Sequence, residues 1–540
     1  MSGAQRSRIC VTAGCSVALL LVLAIVFSSL PLAVVAIAAD APQSNRSLAR
    51  SYFAGAQKAL AAGDSATARE KLNLALRADS KYAEAHLMLG LVEFQQGETA
   101  KAIQHYKQAL SLQPNSYSGH YNLALGYLRQ HRLQDGRAEL ERAVKLDPRQ
   151  PDAAYDLGVV LLELGNPSAA LPHLVRARTL NPQRPDVAFN IVRAQLEAGQ
   201  ISQASVEAQA AAKQLGSDFQ WNAAVGQLFF KNAQPLLAAF YLRQANLVRP
   251  EDPAIRRQLA MAYLASGEPK QVLDLIAEAK TDEDHYLRGS AYYLDHQYAD
   301  ADRESEQALA LAPENPHALV LRVRLLQRAG QQDAALELAK KATALSPEWD
   351  EPHYLAGVSL FYIRHYSEAS KNLARAVELN PKSARALFLQ GIALASQERV
   401  ADAEQSIRRA IALQPRNARF HCHLGILLMR KNDYTAAEES FRKAVALAPG
   451  YGLSHYELGK LLARSNQLNA ASEELNQAVT RDPSLGSAYY QLSRVYARLG
   501  DTENSKRVLA EFQKLYREQA NESQELAEDA RKEMESSEIP

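Results

Sequence analysis

Cysteine is scarce in this chain, with three in 540 residues: Cys10 and Cys15 share an apolar N-terminal stretch, and Cys422 stands alone. That count excludes a disulfide framework. A surplus of one charge is also missing. Sixty-one basic and 60 acidic side chains leave +1, so no overall field draws the chain toward nucleic acid. There is no glycine-rich phosphate loop, no Gly-x-Ser-x-Gly elbow, and no strand–helix alternation to carry either. The sequence reads as a non-enzyme without cofactor or metal.

What is present is a beat. Alanine recurs at Ala75, Ala109, Ala143, Ala177, Ala211, Ala245, Ala279, Ala308, Ala342, Ala376, Ala410, Ala444 and Ala478. Every step is 34 residues except the one from Ala279 to Ala308, which is 29. Proline follows five residues later at ten of these places, among them Pro114, Pro148, Pro182, Pro250 and Pro313. A fixed period of this length marks a repeat array. With the alanine as position 27, fourteen units begin at Ala49, Ala83, Tyr117, Pro151, Pro185, Phe219, Pro253, Asp282, Pro316, Asp350, Ala384, Ala418, Gly452 and Gly486.

Two runs of helical apolar spacing in each unit predict a helix, a turn and a second helix. Position 15 is Gly63, Gly97, Gly165, Gly199, Gly267, Gly330 or Gly500, with Asn432 and Asn466 as substitutes, as a left-handed C-cap requires. Proline at position 32 stops the second helix, and Pro151, Pro185, Pro253 and Pro316 open the next first helix. Glycine at position 8 (Gly90, Gly158, Gly226 and five more) and alanine at position 20 let the two helices approach closely.

These residues resemble the tetratricopeptide repeat, most fully in AEAHLMLGLVEFQQGETAKAIQHYKQALSLQPNS at 83–116. The resemblance covers about 470 of the 540 residues. It implies an all-α solenoid, a right-handed superhelix with a concave groove, and a role in binding proteins. Two blocks are expected, 49–281 and 282–519, with a hinge near Lys280–Glu283 where the short unit lacks five residues. The unit at Pro185 also ends irregularly, reading Leu215-Gly216-Ser217 where others carry proline.

The ends are different in kind. Residues 9–39 carry no charge, follow Arg6 and Arg8, and precede a linker at 40–48. The run is long enough to span a bilayer; alternatively it is a signal peptide cleaved after Ala36-Ile37-Ala38. Both readings predict a membrane-tethered or secreted protein with its repeats outside the cytoplasm. At the other end, 502–536 reads as a polar helix whose first half caps the last repeat, and 520–540 as its tail.

Six histidines share position 4: His86, His120, His285, His353, His421 and His455. Residues one repeat apart form a ladder and do not converge on a metal, so these read as packing residues. His421-Cys422-His423 cannot chelate one ion either, because adjacent helical residues point about 100° apart. The family resemblance places positions 2, 5, 6, 9, 12 and 13 on the groove. Position 5 is aromatic at Tyr121, Tyr155, Phe189, Tyr286, Tyr354, Phe388, Tyr456 and Tyr490, rings suited to an extended peptide. Position 6 is polar at Asn122, Asp156 and Asn190, then apolar at Leu287, Leu321, Leu355 and Leu389. Arg430, Arg464 and Arg498 at position 13, with Lys460 and Arg494 at position 9, form a basic stripe for a partner with an acidic segment. Position 5 is never lysine and position 9 never asparagine, which departs from receptors that clamp chaperone C-termini. The expected function is a protein-binding scaffold at the cell envelope. The alternatives are a cytosolic-facing organelle receptor or a targeting subunit of a separately encoded enzyme.

Overall fold

The computed structural model describes residues 43–517, and these are helical with no strand. The chain is an all-α solenoid of helix pairs. From Ala83 to Gly486, each first helix begins at the residue where the period places a unit start. The opening helix, Gln43–Ala61, starts six residues ahead of Ala49, and the last helix covers 502–517. Start signals sit one residue before the helices: Ser116, Asp218, Asp252, Asn315 and Asn417 each accept a hydrogen bond from a backbone N–H of the first turn.

The two helices of a repeat meet where position 8 has no side chain. A Cβ added to Gly158, Gly357 or Gly425 would lie 2.5–2.6 Å from the side chain at position 24, respectively Leu174, Leu373 and Phe441. The alanines of position 27 close the same seam. Eleven of the thirteen are buried; Ala211 and Ala279 are only half-buried. The turn between the helices is left-handed in all fourteen repeats. Position 15 has φ of 73–85° at the seven glycines and 55–64° at His131, Ala233, His296, Arg364, Glu398, Asn432 and Asn466.

The described residues divide into two compact units, parted between Leu215 and Gly216. The division falls within the repeat 185–218, at the end of its second helix Ile201–Leu215, and the short repeat Pro253–Thr281 lies inside the second unit. There the second helix is only Pro269–Leu275. Side chains from the next repeat complete the junction. Arg288 donates to the carbonyls of Ile276 and Ala277, both at 2.8 Å, and to Glu304 at 2.8 Å. Thr281 and Asp284 form a reciprocal capping box.

Among the described residues no helix is long and apolar enough to cross a membrane. This corrects the expectation of a membrane-anchored, extracytoplasmic protein: nothing in the structure carries an envelope location. The apolar run 9–39 and the tail 520–540 lie outside the described residues.

Candidate interaction surface

In the first unit, positions 5 and 6 join successive repeats. The Tyr121 hydroxyl donates to Asp156 Oδ2 at 2.8 Å, and Asn190 Nδ2 donates to the Tyr155 hydroxyl at 3.1 Å. The Tyr117 ring stacks parallel on Tyr121 with centroids 5.7 Å apart. Arg184 lies over the Tyr155 ring at 4.3 Å and bridges Asp152 and Asp186 at 2.8 and 2.6 Å. Burial pushes the Asp156 carboxyl up to about 7; Asp152 and Asp186 push the same way, against the Tyr121 hydrogen bond and the Arg184 charge. Phe189 is partly buried.

In the second unit the same two positions are used differently. Leu287, Leu321 and Leu355 are buried, so their side chains are spent in the seam between repeats. Leu321 packs where Gly289, in the preceding repeat, leaves space. The aromatic residues form separate ring contacts. Tyr286 meets His317 at 5.4 Å, and His317 meets Trp349 at 4.8 Å. Phe388 stacks on Phe420 at 4.7 Å and touches His423 edge-on at 5.1 Å. Tyr354 lies beneath Arg385 at 4.4 Å. Arg385 also pairs with the buried Glu351, whose other oxygen accepts from Arg324 at 2.8 Å.

The position 13 arginines do not form one uniform stripe. Arg430 donates to the Ala395 carbonyl and Arg498 to the Ala463 carbonyl, each at 2.8 Å. Arg129, at the same position in the third repeat, donates to Phe94 O at 2.7 Å. Each carbonyl is at position 12 of the preceding repeat, at the negative end of its first helix, where a cation is favourable. Arg430 and Arg498 of the expected stripe thus serve the fold itself. Arg464 instead lies over the Tyr434 ring at 4.5 Å. Lys460 pairs with Glu457 and covers Tyr456 at 5.1 Å, while Arg494 covers Tyr490 at 5.9 Å. Tyr490 also meets Phe512 of the terminal helix at 5.5 Å.

Sequence reasoning missed Arg419, at position 2 of the twelfth repeat. It is exposed and lies 5.9 Å over the Tyr451 ring. Its signal was available as the recurrence of arginine at position 2 in Arg385 and Arg419. The histidines of position 4 act as clamps. His120, His353, His421 and His455 bond the prolyl carbonyl of the preceding repeat at 2.9–3.1 Å. His120, His285 and His455 also meet a position 23 glutamate, respectively Glu139, Glu304 and Glu474, at 2.5–2.7 Å. In the His421-Cys422-His423 triplet, Cys422 is buried, and burial pushes its thiol up to about 12.

Family models described as tetratricopeptide repeat match 121–185, 161–228, 316–341, 354–415, 396–452, 428–499 and 486–519, and one described as TPR repeat matches 90–131. Together they span more than half the chain. The protein belongs to the tetratricopeptide repeat family. Tetratricopeptide arrays serve as protein-interaction scaffolds, and this one is built to the same plan. Among solved structures it is similar to one titled "Crystal structure of APC/C hetero-tetramer Cut9-Hcn1", at 14% identity and a TM-score of 0.45, covering 83% of this chain and 96% of that one. It is also similar to yeast Tom70, at 17% identity and a TM-score of 0.33, covering 85% and 98%. No curated protein matches.

Proposed function

We propose that this tetratricopeptide protein is a scaffold that holds an acidic segment of a partner protein against the first helices of its last three repeats. The observation that carries this reading is how Arg419, Arg464 and Arg494 are held. All three are exposed and rest on tyrosine rings, Tyr451, Tyr434 and Tyr490. None has a carboxylate partner among the ion pairs of the described residues. A guanidinium positioned by a ring face keeps its N–H edge free for bidentate contact with a carboxylate. Arg430 and Arg498 already bond carbonyls and contribute background charge.

The test uses labelled peptides of one length that are Glu-rich, Lys-rich or uncharged, titrated against the full chain at low and high salt. The Glu-rich peptide should bind best and weaken steeply with salt. The triple change of Arg419, Arg464 and Arg494 to Ala should lower its affinity at least tenfold with helicity unchanged. Equal binding of all three peptides would remove the acidic-partner reading and leave only a scaffold.

A further inference from the structure

The second helix of the sixth repeat, Pro235–Val248, has an outer face unlike that of any other repeat. Position 18 is Leu236, where all the others carry a small or polar residue. Position 22 is Phe240, where the following repeats carry Asp274, Arg303, Glu337 and Lys371. Position 29 is Leu247, where other repeats carry residues such as Lys145, Lys213 and Glu378. These three side chains are 64, 46 and 69% exposed. The opposite face of the helix is already buried through Ala238, Tyr241, Leu242 and Ala245. A helix apolar on both faces is characteristic of one covered on both sides.

The single charge on this helix, Arg243, is exposed on the outer face and has no ion-pair partner among the described residues. Residues 236, 240, 243 and 247 are spaced four, three and four apart, the step of a seam between two helices. The row also has a symmetry of its own about its midpoint. When the helix is laid antiparallel on an identical one, Leu236 faces the copy's Leu247, and Phe240 faces the copy's Arg243. Both leucine ends then meet apolar surface, and both guanidinium groups meet a ring face. We infer that this stripe is the contact surface for a second copy of the chain, a twofold antiparallel helix pair. A partner chosen by charge would find only Arg243 to select it. The stripe is about 17 Å long and falls short of the roughly 800 Å² per partner of a standard interface. The pair is accordingly a weak one, assembling across roughly 1–100 µM protein.

The test is cross-linking of the full chain with Cys10 and Cys15 replaced by Ser, with the buried Cys422 left in place. One preparation carries Leu236→Cys and a second, size-tagged preparation carries Leu247→Cys; both are treated with a short bismaleimide. The mixed sample should give a cross-linked heterodimer at least tenfold above either sample alone, and adding Phe240→Glu should abolish it. Cross-linking of the Leu236→Cys chain with itself at the same yield would overturn the antiparallel pair. So would a monomeric mass at 100 µM, whether or not some other protein is then found to bind through Phe240.

Discussion

Two irregular places interrupt the beat, and they are resolved in opposite ways. The repeat 185–218 has its full complement of residues but lacks the proline of position 32, and the array divides into its two compact units at the end of its second helix. The seventh repeat has lost five residues and most of its second helix, yet it stays within one unit. At both places side chains satisfy the backbone: at the division, Asn222 donates to the Gly216 carbonyl and Asp218 caps the next helix. At the short repeat, Arg288 collects the carbonyls of Ile276 and Ala277, and Asp284 accepts from the N–H groups of Lys280 and Thr281. Position 7, usually apolar, is given over to that arginine. At the short repeat, hydrogen bonds from the next repeat stand in for the missing residues.

The largest expected effect comes from removing this repair. Arg288→Ala removes the donor to two carbonyls and leaves Glu304 with His285 as its partner, and should destabilise the second unit by about 1–3 kcal/mol. Limited proteolysis gives the positional readout. The intact chain should be cut first around Gln214–Ser217, and the variant around Ile276–Glu283. First cutting of the intact chain near Lys280–Glu283 would restore the hinge that residue count alone predicts.

Next in size is a seam comparison. Ala410 is fully buried between helices, so Ala410→Leu overpacks and should cost about 1–3 kcal/mol. Ala211 holds the same position beside the division and is only half-buried; Ala211→Leu should cost less than half as much in parallel denaturant melts. Equal costs would mean that the seam at Ala211 is as tight as the rest.

One buried group in each unit should also respond to acid with opposite sign. Asp156 in the first unit is raised from 3.8 to about 7 by burial. Its folded form holds the proton more tightly, so its contribution is most favourable below about pH 4 and fades as pH rises through 7. Asp156→Asn should stabilise the first unit by about 1–2 kcal/mol at pH 8 and by nothing at pH 4. His423 in the second unit is lowered from 6.5 to about 4, again mainly by burial. Its folded form resists protonation, so stability is lost as pH falls from about 6.5 toward 4. His423→Gln should flatten that loss. His455 has the opposite sign, because Glu474 raises it, but it is unchanged in the His423 comparison. Hydrogen exchange read separately in each unit is the measurement.

Helix starts and turns were legible because proline, glycine and alanine report backbone needs directly. Less was legible at the surface. The left-handed turns at His131, Ala233, His296, Arg364 and Glu398 carry no residue-type signal, and only the phase of the repeat reveals them. Leu287, Leu321 and Leu355 were counted as groove residues, but burial in the seam takes them out of reach. The partners of Arg430 and Arg498 are main-chain oxygens 35 residues away, which no side-chain pattern displays. The smallest prediction tests the hidden turns. Ala233→Gly should stabilise by about 0.5–1 kcal/mol in a chemical melt, since φ of 55° strains a side-chain-bearing residue.

The clamps of position 4 have a mechanical consequence. Four of the six histidines tie their helix to the prolyl carbonyl just before it, and the tyrosine and arginine contacts likewise reach one repeat and no further. A chain held only by neighbours yields in series when pulled by its ends. Force would be carried by one seam at a time, each released repeat adding about 120 Å of contour length, and the 29-residue repeat about 100 Å. Such an array behaves as a row of small shock absorbers and bears load without failing all at once.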